Sequence, residues 1–348
     1  MRAKNEEESE RARLASKEEL AAPLQALPPV QFAFAYGSGV FHQREISESS
    51  DRMVDYILGV SSPAQWHSQN IEMNPSHYSS WIAHFGGKAV ADAACILGVG
   101  VHFNPFVEWR GKVIKYGVVG LSDLVGDILT WRRLYISGRL QKPVCMLVDH
   151  SGIAQKNKVN LQAALSTAML LLPDEFSEEQ LYETICGLSY QGDIRLLFAE
   201  DKNKVSKIVQ GSFSNFRNLY SSSIQQATTS DVLKLSQKDE KVLSSRFSQE
   251  LGPDAVREHV SHLPSTLLQR LAAKTGTGCE NSSGGSVAVA DALVRFGNAR
   301  QRLIKQAVAS IVRTSSLKQA LSGFIAAGGV NAFRYASRKV SKAWKSCS

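Results

Sequence analysis

The sequence predicts an α/β domain followed by a mostly helical domain and a C-terminal amphipathic helix. Three observations carry this expectation. Up to about residue 150, short aromatic and β-branched runs alternate with helix-patterned stretches. From Lys156 onward the pattern turns helical. From Arg295 to Ser348 there are 11 Lys and Arg and no acid, whereas Met1–Val294 holds 29 basic and 32 acidic side chains. The 348 residues, 43% hydrophobic and 21% charged, suffice for two cores.

The elements follow in order. Met1–Pro29 is a leader that opens with Glu6, Glu7, Glu8 and Glu10 and ends at Pro28-Pro29. It has neither a secretory apolar core nor the acid-poor, Arg-rich character of a mitochondrial presequence. Gln31–Tyr36 reads as a buried strand running into the turn Gly37-Ser38-Gly39. Met53–Val60 is a second strand with one acid, Asp55, set among apolar residues. Trp66–Leu97 is helical in pieces, broken at Pro75 and at Gly86-Gly87. Val101–Val107 and Val113–Val119 form a hairpin, and Leu121–Leu140 is one amphipathic helix stopped by Pro143.

Helices are then expected over Asn160–Leu172, Ser177–Leu188 and Lys202–Tyr220, the middle one opened by a capping Ser177-Glu178-Glu179-Gln180. Gly276–Gly285 is rich in Gly, Ser and Thr and reads as a linker. The expected organisation is a leader over 1–29, an α/β domain over 30–150, a helical domain over 155–275, a linker over 276–294 and a basic tail over 295–348. The longest apolar runs, such as Ala163–Pro173, fall short of a membrane span. Five scattered cysteines fit neither a disulfide framework nor a zinc site, which points to a reducing compartment.

Gly37-Ser38 after a first strand, with Asp55 on the next, resembles the polymerase-β-like nucleotidyltransferase pattern. Small residues let backbone amides approach a triphosphate, and a carboxylate holds the Mg²⁺ that neutralises its charge. A plain turn and a structural ion pair are the bland alternatives. The usual pattern puts a second acid two residues on, but Ile57 stands there. Glu108, Asp123, Asp127 and Asp193 remain as candidates for the second metal carboxylate.

Seven ordered blocks sharpen the reading. They are Tyr36-Gly37-Ser38-Gly39-Val40-Phe41, Met53-Val54-Asp55-Tyr56-Ile57-Leu58, Trp66-His67-Ser68-Gln69-Asn70 and Asn74-Pro75-Ser76-His77-Tyr78-Ser79, followed by Ile114-Lys115-Tyr116-Gly117-Val118, Tyr135–Val144 and Leu188–Arg195. Together they resemble the mitochondrial phosphatidate cytidylyltransferase family, also called the translocator assembly and maintenance family. The resemblance covers about Tyr36–Tyr220 and resumes near Ile311–Gly328, with no anchor in Ser221–Leu293. It implies a polymerase-β-like nucleotidyltransferase domain, a winged-helix-like second domain and a membrane-binding C-terminal segment. It further implies Mg²⁺-dependent conversion of CTP and phosphatidic acid to CDP-diacylglycerol and pyrophosphate, feeding cardiolipin and phosphatidylglycerol synthesis. The implied location is peripheral, on the matrix side of the mitochondrial inner membrane; the acidic leader departs from that.

The residues then take expected roles. Gly37 and Ser38 meet the triphosphate, Asp55 meets Mg²⁺, and Lys115 is a strand cation for phosphate or, more blandly, for water. His67 and Asn70, with Asn74 and His77 beside them, shape the nucleotide pocket by hydrogen bonding. Arg139 and Lys142 hold phosphate of nucleotide or lipid, or simply complement a helix C-terminus. Asp193 and Arg195 form an ion pair or touch phosphate and metal. On a helical wheel Phe333, Ala336, Val340, Ala343 and Trp344 oppose Arg334, Arg338, Lys342 and Lys345, which suits an anionic membrane surface as partner. No nucleic-acid partner is expected, since no aromatic stacking platform for bases is visible. Two readings compete: a nucleotidyltransferase acting on RNA, and a non-enzymatic membrane-associated factor for protein-import assembly.

Overall fold

A computed structural model describes residues 16–37, 39–40, 53–79, 84–194, 203–229, 233–237, 245–278 and 283–345, and in the last stretch side chains over 285–322. The chain divides into two compact units. One comprises Met1–Asp123, Val144–Ser151 and Leu321–Phe333, and the other Leu124–Pro143, Gly152–Ala320 and Arg334–Ser348.

The first unit is built on a five-stranded mixed sheet, which bears out the α/β class. Its strands are β1 (Phe32–Tyr36), β2 (Val54–Val60), β3 (Val101–Trp109), β4 (Lys112–Gly120) and β5 (Cys145–Val148), in the order β3-β4-β2-β1-β5. Only β2 and β4 run parallel; their connection carries α1 (Pro63–Met73), α2 (Gly86–Ile96) and β3. Parallel neighbours require such a crossover. Helix α1 starts where Ser62 Oγ accepts from the Gln65 amide and Pro63 takes the first helical position.

Alternation along the strands sorts the side chains. Ala33, Ala35, Tyr56, Leu58, Val60, Ile114, Tyr116 and Val118 turn one way, into a core closed by Trp66 of α1 and by Leu27. Each large side chain buried there contributes roughly 1.5–3 kcal/mol. Trp66 also donates through Nε1 to the Pro28 carbonyl at 3.1 Å, which ties the end of the leader to this core. Asp55, Ile57 and Lys115 turn the other way. In β3 the register slips between Asn104 and Val107, with Phe106 at φ 59°, so Glu108 pairs with Val113.

The second unit is mostly helical. It holds α4 (Ile136–Leu140), α5 (Ser151–Leu171), α6 (Glu178–Leu188), α7 (Lys204–Gly211), α8 (Phe213–Thr229), α9 (Pro253–Ser261), α10 (Ser265–Thr275) and α11 (Ser283–Phe296). A small antiparallel sheet, in the order β6 (Glu175–Ser177), β8 (Arg246–Ser248), β7 (Lys234–Gln237), accompanies them. Helices with a small antiparallel sheet are the ingredients of a winged helix. Ser177 and Gln180 form the expected capping box. Helix α12 runs from Arg300 to Lys345.

The single helix expected over Leu121–Leu140 is two. Helix α3 (Leu121–Thr130) stops before Trp131 and Leu134, both at positive φ, and α4 begins at Ile136. The cause is Asp127, which is 2% exposed. Its carboxylate accepts from the amides of Arg133, Tyr135, Ile136 and Ser137 and from Ser137 Oγ, at 2.8–3.1 Å. Five donors converging on one side chain outcompete helix continuation.

Asp127→Asn keeps the shape but removes the charge and half the acceptor capacity. It should cost about 3 kcal/mol, read as a lowered urea midpoint at unchanged m-value. An unchanged midpoint would show that the carboxylate does not hold this break.

Candidate functional site

Asp55 and Lys115 sit on the same rung of the sheet. Asp55 pairs with Tyr36 across β1 and with Lys115 across β4. Lys115 Nζ lies 3.7 Å from Asp55 Oδ1, with the two side chains 20% and 23% exposed. That is a loose ion pair rather than a hydrogen bond. The ammonium also lies 4.3 Å from the centroid of the Phe103 ring. Gly117 makes room for that ring, since a Cβ there would come within 2.5 Å of Phe103.

The bend after β1 lies against the same carboxylate. Gly37 is at φ 95°, and a Cβ on it would stand 3.4 Å from Asp55 Oδ2. The Val40 amide closes the turn on the Gly37 carbonyl at 3.1 Å. Ser38 lies outside the described residues. A partly exposed pair of this kind contributes little stability, so each partner can be exchanged for a ligand at small cost.

Among the described residues no three His, Cys, Asp or Glu side chains converge on a metal position. Mg²⁺, however, is commonly held by one or two carboxylates together with substrate phosphates and water. Asp55, reachable and beside a glycine bend, fits that donor chemistry. The candidates for a second acid separate clearly. Asp127 is consumed by the α3–α4 break. Asp123 lies beside Gly120, at the far end of β4 and about 16 Å along the strand from Lys115. Asp193 belongs to the second unit and is 3% exposed. Glu108 is exposed, and the bulge returns it to the Lys115 face, opposite Val113.

His67 and Asn70, expected at the nucleotide, are fully buried on the opposite face of the sheet. Asn70 Nδ2 donates to Tyr78 Oη at 2.9 Å and to Tyr116 Oη at 2.8 Å. His67 Nδ1 meets Tyr78 Oη, and His77 Nδ1 meets Tyr116 Oη, each at 2.8 Å. Asn74 Nδ2 donates to Asn70 Oδ1 and to the Ala26 carbonyl. His102 stacks on Tyr78 and bonds Asn104. Any influence of His67 or Asn70 on Asp55 therefore passes through the strand that carries Tyr116 next to Lys115, not through contact.

Burial holds the His67 imidazole well below its ordinary range, and nearby His102 adds to this. Burial likewise pushes His102 down to about 4, against its bond to Asn104. The Tyr78 phenol is pushed up to about 12, chiefly by burial. These rings are packed neutral, so the unfolded chain binds more protons once the pH drops below about 6.5. Stability should hold above that value and fall from there towards pH 4, by up to about 1.4 kcal/mol per pH unit for each histidine. Urea midpoints taken across that window test this; a flat profile would contradict the neutral packing.

The second unit holds the other two expected residues. Lys142 is 5% exposed and Arg139 is half-buried at the last turn of α4. Arg195 lies outside the described residues. Arg334, Arg338, Lys342, Trp344 and Lys345 fall on the α12 backbone, with side chains outside the described set. Among the described residues no helix is long and apolar enough to cross a membrane.

Reading the sequence did not single out Tyr78, Tyr116, His102, Phe103 or Gly117. A signal for Tyr116 existed: it directly follows Lys115, so alternation sends it to the opposite face.

A carboxylate, an ammonium and a glycine bend thus meet on one rung of the interior strands, a donor set whose chemistry fits a phosphate chain. Comparison with known proteins takes this further. The family model "Phosphatidate cytidylyltransferase, mitochondrial" matches residues 20–342. The mouse (Mus musculus) protein of that name is 35% identical over 91% of each chain, and the Xenopus laevis protein 36% over 91% of each. The Schizosaccharomyces pombe protein is 34% identical over 90% of this chain and 80% of its own. The crystal structure of a nucleotidyltransferase-like protein from Exiguobacterium sibiricum covers 89% of this chain and 78% of its own at 12% identity. Its TM-score of 0.23 is too low to bear on the fold. The chain belongs to the mitochondrial phosphatidate cytidylyltransferase family, and is thereby a nucleotidyltransferase.

Proposed function

We propose that this chain transfers the cytidylyl group of CTP to phosphatidic acid, releasing pyrophosphate and forming CDP-diacylglycerol. The carrying observation is the Asp55–Lys115 rung set against Gly37, in a chain of this family. A phosphate oxygen of phosphatidic acid forms a bond to the α-phosphorus of CTP, and the bond from that phosphorus to the bridging oxygen of pyrophosphate breaks. The attacking monoester is largely ionised at neutral pH, its second pKa being near 6, so the step needs no general base. Positioning and charge neutralisation supply the acceleration.

Each residue has a place in that scheme. Gly37 and Ser38 bring backbone amides to the triphosphate, and Lys115 releases Asp55 to pair with a phosphate oxygen. Asp55 would hold Mg²⁺, which when bound neutralises charge on the triphosphate. Glu108, on the same face, is the best-placed second carboxylate among the described residues of the first unit.

The same reading places the protein peripherally on the matrix side of the mitochondrial inner membrane. The relatives named above are called mitochondrial, and the basic, acid-free tail suits anionic lipid. An enzyme whose lipid substrate never leaves the bilayer gains from such a tail. Its product would feed cardiolipin and phosphatidylglycerol synthesis.

The test is purified protein with CTP, Mg²⁺ and phosphatidic acid in vesicles, assayed for liponucleotide and pyrophosphate. Asp55→Ala should lower turnover by about a thousandfold or more while leaving the circular dichroism unchanged. Full activity in that variant would remove Asp55 from the reaction, and product from RNA but not lipid would reassign the substrate.

Removing Phe333–Ser348 should weaken binding to anionic vesicles by about 1 kcal/mol for each basic side chain lost near the surface. Co-sedimentation reads this. Equal sedimentation of the shortened chain would refute the tail as the anchor.

A further inference from the structure

Helices α9 and α11 of the second unit, with the turn after α10, enclose a cavity of about 470 Å³. It is lined by Arg257, Thr277, Ala288, Asp291, Val294 and Arg295, and its volume suits a small molecule. Helix α11 buries Val289, Ala290 and Leu293 in the core, which leaves Ala288, Asp291, Val294 and Arg295 for the cavity side. Gly276, at φ 72°, ends α10 in the left-handed conformation and carries Thr277 to the rim.

Two opposite charges face this space without meeting. Asp291 and Arg295 lie one turn apart on α11, about 6 Å along its axis, a spacing that ordinarily favours an ion pair. Arg257 draws the carboxylate away instead. Its Nε donates to Asp291 Oδ1 at 3.1 Å, and its Nη2 lies 3.0 Å from the same oxygen. Its Nη1 donates to Asp254 Oδ1 at 3.0 Å, so this guanidinium is engaged on both sides. Both contacts to Asp291 fall on Oδ1, which leaves Oδ2 open to another donor. Arg295 is exposed and has no hydrogen-bond or ion-pair partner among the described residues. An open acceptor and an open cation are thus held apart over the apolar Ala288 and Val294.

We propose that this cavity binds a short zwitterion of the phosphoethanolamine type, with its phosphate on Arg295 and its ammonium on Asp291. The guanidinium fork matches a phosphate edge, and an ammonium brings three donors, enough for Asp291 Oδ2 and the Thr277 hydroxyl. The carbons between the two charges rest on Ala288 and Val294. An α-amino acid carries its charges too close together to bridge a helical turn, and a plain phosphoester would leave the carboxylate unmet. Phosphoethanolamine chemistry occurs free in solution and as a lipid headgroup. For the lipid, Val287 and Phe296 are exposed on the same helix and offer apolar support. The site stands on the second unit alone and does not rest on the transferase reading.

The test uses the full chain without CTP or Mg²⁺. Titration calorimetry with O-phosphoethanolamine, phosphocholine and glycerol phosphate is read for the native chain, Asp291→Asn and Arg295→Gln. Phosphocholine lacks the ammonium donors and glycerol phosphate lacks the cation, so each should bind the native chain about tenfold more weakly than O-phosphoethanolamine. Each variant should lose about tenfold in affinity for O-phosphoethanolamine. Arg295→Gln breaks no contact among the described residues, and it decides the matter where Asp291→Asn does not fold. Vesicles of phosphatidylcholine, with and without phosphatidylethanolamine, separate the sources. Both lipids are net neutral, so attraction of the basic tail to negative charge drops out. Sedimentation that phosphatidylethanolamine raises for the native chain but not for Arg295→Gln identifies the headgroup; binding of O-phosphoethanolamine without that difference identifies the free phosphoester. A native chain that shows neither effect, equal affinity for all three compounds, or variants that bind O-phosphoethanolamine unchanged would overturn the proposal.

Discussion

The parallel pairing of β2 with β4 is the constraint on which the rest depends. It sets Asp55 beside Lys115 and, in the same register, buries Tyr56 beside Tyr116 and Leu58 beside Val118. Strand side chains alternate strictly, so a slip of one residue would carry the aspartate into the apolar core and a tyrosine out of it. The cost of burying an unpaired carboxylate therefore fixes the register, and the register fixes the site.

The two faces of the sheet divide the work. On one, His67, Asn70, Tyr78 and Tyr116 are tied together by short hydrogen bonds with almost no exposure, which holds α1 and β4 rigidly. On the other, Asp55 and Lys115 touch loosely and keep about a fifth of their surface open. A stiff backing and an exchangeable pair suit a site that must aim charges at a ligand without spending them on each other.

Much of this was readable from the residues. The aromatic and β-branched runs marked β1 to β4, and Ser177 with Gln180 marked the start of α6. Asp55 stood out because an acid among apolar strand residues needs a reason. What escaped depended on partners outside the spacing that helix and strand periodicity reads. The α3–α4 break comes from a side chain capturing amides six to ten residues ahead, which helical periodicity does not register. Strand β5 is four residues long, and β6 and β8 only three, too short for alternation to speak. His67 and Asn70 were recognised as a polar cluster, but spacing along a helix does not tell which layer will cover it. Glu108 changed face through a bulge that only the pairing reveals.

Between Asp55 and Lys115 the chain makes α1, α2 and β3 before returning to the neighbouring position. Neither strand can supply its half of the pair until that excursion has closed, and distant pairings exact loop entropy before their contacts repay it. The pair therefore belongs to the closed sheet and to neither strand alone. A nascent or clipped chain lacking β4 would hold its aspartate against the glycine bend without the lysine that neighbours it in the finished sheet.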